Sequence, residues 1–323
     1  MDKIFYPLEL LANWLVHNIF NIQKSTHLAD ALIFLIADVL KIFILLAVII
    51  FIVSLLRSFL PPSKIRKILT HKYQFTGNIL AAAFGIITPF CTCSAIPLFL
   101  GFIQAGVPLG VTFSFLVASP MINEVAIVLL LGLFGWKITL LYILSGMAIA
   151  IIAGLIIGKM GAESLIEDFV YTDKIDLSTR KNDPTWKNRL DYARKYTVNI
   201  IRKVWLYIII GVGLGAWIHG YIPTDFLTNY AGSDKWYAVP LATLIGIPLY
   251  SNAAGVMPLV SALTEKGVAM GTTLAFMMAV TGLSLPEFMI LKKVMKVKLI
   301  IIFASIVGLG IIFTGYLFNY ILK

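Results

Sequence analysis

Long apolar runs separated by short polar connectors occupy residues 28–57, 78–105, 107–131, 137–158, 204–221, 237–262, 267–291 and 298–321. Runs of about 20 residues with almost no charge predict transmembrane helices. Residues 4–22 predict a different helix, because Glu9, Asn13 and His17 recur every fourth residue and share one face of an otherwise apolar, aromatic segment. That pattern fits a peripheral amphipathic helix within residues 1–27.

Four of the runs are interrupted. In 78–105 the interruption is Thr88-Pro89-Phe90-Cys91-Thr92-Cys93-Ser94-Ala95-Ile96-Pro97, where two prolines frame four small polar side chains. In 107–131 it is Ser119-Pro120-Met121-Ile122-Asn123-Glu124, in 237–262 the stretch from Pro248 to Pro258, and in 267–291 the stretch Thr281–Glu287. Proline removes an amide donor and breaks a helix. In a bilayer, non-helical backbone survives only where protein or a water-filled cavity covers it. The interruptions are therefore expected inside the bundle, where transporters hold their sites.

The pattern repeats at one offset, 161 residues. Pro62 meets Pro223, Gly85 meets Gly246, Pro97-Leu98 meets Pro258-Leu259, and Gly106-Val107 meets Gly267-Val268. Gly110, Thr112, Phe115 and Ala118 meet Gly271, Thr273, Phe276 and Ala279, and Gly154 meets Gly315. Apolar identities recur by chance in any membrane protein, but ungapped proline and glycine matches point to a duplication. The implied division is an N-terminal helix (1–27), a first membrane repeat (28–158), a linker (159–203) and a second repeat (204–323).

Charge orients the halves. The net charge of +10 sits mostly in connectors. Residues 57–72 carry Arg57, Lys64, Arg66, Lys67 and Lys72 with no acid, 159–203 carry ten Lys/Arg against seven Asp/Glu, and 292–298 carry four lysines. Residues 132–136 have no charge, and 222–236 have Asp225 and Asp234 against Lys235. Basic connectors stay in the cytosol. If every run crossed the membrane, 159–203 and 292–298 would fall on opposite sides. If 78–105 and 237–262 are re-entrant hairpins, all three basic connectors become cytosolic. Each half then has three crossings, an odd number, and the halves are inverted. The expected fold class is an all-α polytopic membrane protein of two inverted-topology repeats. Each repeat has three spanning helices and one re-entrant helical hairpin, and the hairpin tips meet near the midplane.

Composition agrees: 59% of residues are hydrophobic, 13% are charged, and mean hydropathy is +0.92. A soluble domain is nearer one quarter charged. The basic balance therefore reports topology and not nucleic-acid binding. The two cysteines lie one residue apart and suggest no disulfide framework. Met1-Asp2-Lys3 does not lead into a cleaved signal. No Gly-x4-Gly-Lys-Ser/Thr phosphate loop occurs, so transport would be secondary.

The breaks supply the candidate chemistry. The first tip carries Cys91, Thr92, Cys93 and Ser94, and the second carries Ser251 and Asn252. Thiolates are soft ligands, suited to soft metals, thiol-reactive metalloids or sulfur compounds. Buried free cysteine is also an ordinary small core residue. Two cysteines without a nearby histidine do not complete a structural metal site. The other breaks carry Ser119, Asn123, Glu124 and Glu287. An acid within a membrane segment is costly and is a functional candidate by default. Glu124 lies well inside its run and is the better candidate for proton coupling, whereas Glu287 lies near Lys292 and could pair with it at the surface.

Thr88 through Phe99, followed by Gly106-Val107-Pro108-Leu109-Gly110 and Ala118-Ser119-Pro120-Met121-Ile122-Asn123, resembles the ArsP-type predicted permease family over roughly residues 30–323. The resemblance implies a permease, with export of trivalent organoarsenicals as the characterised function in that family. It also implies that Cys91 and Cys93 line the path, with Ser119, Pro120, Asn123 and Glu124 nearby. A thiol-reactive arsenical, another soft metal species and a small sulfur compound would all suit the same tip. The resulting expectation is a multi-pass inner-membrane permease. It needs no cofactor, catalytic residue or resident metal, and its partners are a small solute, the lipid bilayer and a coupling proton. It is compatible with a homo-oligomer. Rival readings are a channel-like pore, a membrane thiol-redox protein and an accessory membrane subunit.

Overall fold

The computed structural model describes residues 2–20, 22, 26–59, 74–88, 92–168, 170, 186–221, 235–249, 253–265 and 267–322, with some helical side chains, those of Thr92, Cys93 and Ser94 among them, left outside that description. Among the described residues the fold is built of helices, with a single isolated bridge between Ile166 and Met295 in place of any strand.

Helix α1 (Asp2–Trp14) continues into a π-helical turn, Leu15–Ile19. It leaves Tyr6, Leu10, Leu11 and Trp14 exposed and packs on α2 (His27–Phe59). Two short helices follow, α3 (Gln74–Ile87) and α4 (Thr92–Gln104). Helix α5 (Leu109–Met121) is buried along its whole length. Helix α6 (Glu124–Lys159) leaves helical geometry at Gly135, where φ is 80° and ψ 174°. Its two pieces therefore replace the expected connector at 132–136 with a kink. Helix α7 (Trp186–Tyr221) joins the end of the polar linker to the apolar run 204–221 without interruption. Then come α8 (Ala238–Gly246), α9 (Ala253–Glu265), α10 (Met270–Gly282), α11 (Leu285–Leu291) and α12 (Val297–Ile321).

Two of the interruptions are narrower than their prolines suggest. Helix α4 resumes at Thr92 and runs through Pro97, and α9 resumes at Ala253 and runs through Pro258. Each proline is the sixth residue of its helix. The helix tolerates it there, but the carbonyl four residues back, of Cys93 or Ala254, loses its amide donor.

The 161-residue offset recurs in the helix ends and in the packing. Helices α5 and α10 begin and end at equivalent positions. The turns before them are equivalent Schellman closures. Gly106 and Gly267 have φ of 77° and 83°, and the amides of Val107 and Val268 each bond the carbonyl five residues back at 3.0 Å. A Cβ built on Gly85 would lie 3.1 Å from Ala118 Cβ, and one on Gly246 would lie 2.9 Å from Ala279 Cβ. Gly154 approaches Gly110 as Gly315 approaches Gly271. Close backbone approach of this kind is what glycine contributes to helix pairs in membranes.

The loops sort between two ends. The Glu167 amide bonds Val294 O at 2.9 Å, the Lys296 amide bonds Leu165 O at 2.8 Å, and Lys296 Nζ bonds Ser164 O at 3.0 Å. The connectors after α6 and α11 thus share one end of the bundle. Near the far end of α12, Tyr316 donates to the Trp236 carbonyl, so the start of α8 lies at the opposite end. Among the described residues, the segments long and apolar enough to cross a membrane are Glu124–Lys159, Met270–Leu291 (taken across its break) and Val297–Ile321.

Candidate functional site

The four interruptions are tied together by contacts. Helix α3 ends at Ile87, where the Thr88 hydroxyl turns back to Phe84 O at 2.9 Å and closes the last turn. Gly85, in that turn, lies against Ala118 and the Ser119 amide near the end of α5. The α3–α4 break and the α5–α6 break are therefore side by side. In the second half, Gly246 packs on Ala279 and the Val280 amide, and the Leu285 amide bonds Ile247 O at 2.9 Å. The α8–α9 break and the α10–α11 break are thereby stitched by a backbone hydrogen bond. A Cβ on Gly282 would meet Met121 Cβ at 3.5 Å, which joins the first pair of breaks to the second.

Tyr142, fully buried in α6, holds this centre together. Its hydroxyl donates to the Met121 carbonyl, which the end of α5 leaves without a helical partner. The same hydroxyl lies against the Thr281 side chain of α10. Neither Tyr142 nor Thr281 is marked by its local pattern as a cross-half contact. A tyrosine in an apolar run reads as packing until a partner for its hydroxyl is seen.

Among the predicted residues, Ser119 is fully buried in the last turn of α5. Asn123 is the N-cap of α6, and its Oδ1 accepts from the Ala126 amide at 2.7 Å. Glu124 opens that helix half-buried, with Oε2 buried and without a hydrogen-bond partner. Glu287 is 1% exposed, and neither carboxylate oxygen has a hydrogen-bond partner. The expected surface pairing of Glu287 with Lys292 is therefore not formed; Lys292 is exposed. The backbone of Thr92, Cys93 and Ser94 forms the first turn of α4, while their side chains, and all of Cys91, Ser251 and Asn252, lie outside the described residues.

The halves exchange partners around the centre. Helix α11, which carries Glu287, packs on α4 of the first half, and α9 of the second half packs on α6. The acid and the helix that the thiol stretch leads into are thus neighbours across the halves. Among the described residues no group of three or more His, Cys, Asp or Glu side chains could hold a metal ion.

The Asn123 cap permits a direct check. Asn123→Ala removes the acceptor for the Ala126 amide and is expected to cost about 1 kcal/mol. A modest fall in melting temperature of the detergent-solubilised protein is expected. Asn123→Asp, which keeps an acceptor, restores it.

The model of the predicted permease family ArsP_1 matches residues 27–320, nearly all of the chain beyond α1. The chain is 25% identical over 297 residues to a Methanocaldococcus jannaschii protein described as UPF0718 protein MJ0584, covering 73% of this chain and 81% of the relative. It is 28% identical over 265 residues to a Streptococcus mutans protein described as a putative two-component membrane permease complex subunit, covering 80% and 82%. A Bacillus subtilis protein, UPF0718 protein YcgR, is 24% identical over 192 residues, covering 59% and 64%. No solved structure matches. On the extent of the family match and the apolar helices, this chain is a multi-pass membrane protein that belongs to the ArsP_1 predicted permease family.

Proposed function

We propose that the protein is a secondary-active permease for a small soft or thiol-reactive solute, with efflux of trivalent organoarsenicals as the leading substrate class. The observation that carries this reading is the convergence of four helix breaks on one buried centre, next to the helix that the thiol stretch leads into. Broken helices expose backbone groups and small side chains to a solute while the bundle shields them from lipid. The proposed path is lined by Cys91, Thr92, Cys93, Ser94, Ser119, Asn123 and Glu124 from the first half and by Ser251, Asn252 and Glu287 from the second.

The proposed architecture is a pair of inverted repeats with re-entrant hairpins. Helices α3 and α4 have 14 and 13 residues, and α8 and α9 have 9 and 13. At 1.5 Å per residue none exceeds about 21 Å, short of a hydrocarbon core of about 30 Å. The shared end of the connectors after α6 and α11 supports the same topology. Three full crossings between them would separate them, so one run returns to its own side, and 237–262 is the run with the shortest helices. Two contacts support a two-fold relation. Met121 touches Gly282 and Ile149 touches Gly310, and in both pairs the partners are repeat counterparts. Residues that touch their own counterparts lie near the axis relating two halves. The shared, basic end is then the cytosolic one, the membrane is the inner membrane, and residues 1–27 form a peripheral helix outside the repeats.

The test is resistance. A metalloid-sensitive bacterium producing the wild-type chain is expected to survive methylarsenite or phenylarsenite at concentrations that kill the same strain producing Cys91→Ala/Cys93→Ala at equal membrane levels. Equal resistance in both removes the thiol path. Absence of resistance in either moves the substrate away from arsenicals and toward the other soft solutes.

A further inference from the structure

Glu287 stands apart from every other acid described in this chain. It is buried with both carboxylate oxygens unpartnered, in a segment that the apolar pattern assigns to the membrane. It is the third residue of α11, and Ser284 is the N-cap, so Ser284-Leu285-Pro286-Glu287 has the sequence of a capping box. The reciprocal arm is left open: the carboxylate leans toward the Ser284 amide without completing a hydrogen bond. An isolated carboxylate cannot be carried in such surroundings uncompensated; a proton or another cation must accompany it.

The surroundings favour the proton. Helix α11 packs on α4 and α7. Helix α4 carries one titratable side chain, Cys93, and no fixed charge. The described charged side chains of α7 are Lys187, Arg189, Asp191, Arg194, Lys195 and Arg202, and neither oxygen of Glu287 has a hydrogen-bond partner. Lys292 and Lys293, just beyond α11, are exposed. A sodium or divalent ion would need several further oxygen ligands. Among the described residues no group of three or more His, Cys, Asp or Glu side chains includes Glu287, so such an ion would have to be held mainly by carbonyl and hydroxyl oxygens. A proton needs none.

We propose that Glu287 is the proton-binding group of this permease, taking up a proton as a neutral carboxyl and releasing it when its contacts with the α4 helix change. The position is not duplicated, because the repeat counterpart of Glu287 is Ala126, and that of Glu124 is Leu285. The thiols are equally one-sided: the repeat counterparts of Cys91 and Cys93 are Asn252 and Ala254. One half therefore supplies the soft ligand and the other supplies the proton. The α4–α11 packing is the interface through which each can sense the other. Glu124 fits the role less well. It is half-buried, whereas Glu287 is 1% exposed. The coupling role rests on the permease reading, whereas the protonated state does not.

The carboxyl is tested on the purified full-length protein in lipid, with no transported solute, by difference infrared spectroscopy at neutral pH in H2O and D2O. The wild type is expected to show the carbonyl band of a protonated carboxyl. Glu287→Gln, which keeps an arm for the capping box, is expected to lose that band, and Glu124→Gln to retain it. No such band in the wild type, its survival in Glu287→Gln, or its loss on adding sodium overturns the proposal. If Glu287→Gln does not fold, labelling of the wild type by an apolar carbodiimide replaces it. Label on the Glu287 peptide that falls as pH rises supports the proposal, and none there overturns it. In everted vesicles that accumulate methylarsenite, Glu287→Gln is expected to abolish stimulation by an imposed pH gradient, while Glu163→Gln, at an exposed connector residue, keeps it. Retained stimulation in Glu287→Gln overturns the coupling role. Vesicles that accumulate no methylarsenite count against the substrate assignment and leave the infrared result standing.

Discussion

Gly154→Val is expected to abolish the folded protein. A Cβ at this position would lie 2.0 Å from Ser114 Oγ, 2.4 Å from the Gly110 carbonyl and 2.9 Å from Asn78 Nδ2. The Ser114 hydroxyl is engaged with Ala150 O at 2.9 Å, and the Gly110 carbonyl belongs to the backbone of α5. Neither can yield without separating α5 from α6. Overpacking of this kind costs about 3 kcal/mol or more, a large part of the 5–15 kcal/mol that typically holds a domain together. The repeat counterpart makes the same prediction: a Cβ on Gly315 meets Val239 Cγ1 at 2.5 Å and Ala275 Cβ at 2.9 Å. Both valine variants are expected to lose the monodisperse peak in detergent size-exclusion chromatography. Gly132→Ala, where an added Cβ meets nothing within 4 Å, keeps it. Normal yield and melting temperature for Gly154→Val would mean that α5 and α6 do not approach this closely.

Tyr142 carries the second large effect. Its ring is fully buried, and its hydroxyl satisfies the carbonyl that ends α5. Tyr142→Phe removes only the hydroxyl. It leaves a buried acceptor unmet, at a cost of about 1–3 kcal/mol. Tyr142→Ala also removes the ring and opens a cavity, which brings the cost toward the 3–5 kcal/mol typical of buried aromatics. Melting temperatures are expected to fall in the order wild type, Phe, Ala. Because the same hydroxyl lies beside Thr281 across the halves, Tyr142→Phe is also expected to impair arsenical resistance at expression levels matched to wild type. A Phe variant as stable as wild type would show that Met121 finds its donor elsewhere.

The helices, their breaks and the repeat are legible in the chain because each depends on local chemistry. Apolar runs announce helices, Gly106 and Gly267 announce left-handed turns, and the Ser119–Glu124 stretch announces an interruption. The 161-residue match extends from residue identities to helix ends, Schellman turns and glycine contacts, since the same side chains impose the same close approaches. The segments after α6 and α11 meet at the Ile166–Met295 bridge, an arrangement compatible with the charge pattern of the connectors.

Proline misleads about the width of the breaks. A ring six residues into a helix costs one hydrogen bond and leaves the helix intact, so α4 and α9 begin earlier than their prolines suggest. The acids mislead more. Counting residues to the nearest connector makes Glu124 look deep and Glu287 look shallow. Burial depends on what packs around a side chain from distant parts of the chain, and α4 and α7 cover α11. Helix periodicity reveals which face of a helix is apolar, but it carries no address for the partner. The crossing of the halves, with the helix of Glu287 against the one the thiol stretch leads into, is therefore written only in the long-range packing. The repeat and its breaks are local and visible in the residues, while the partner each break meets is decided by close approach at Gly85, Gly246, Gly282 and Tyr142.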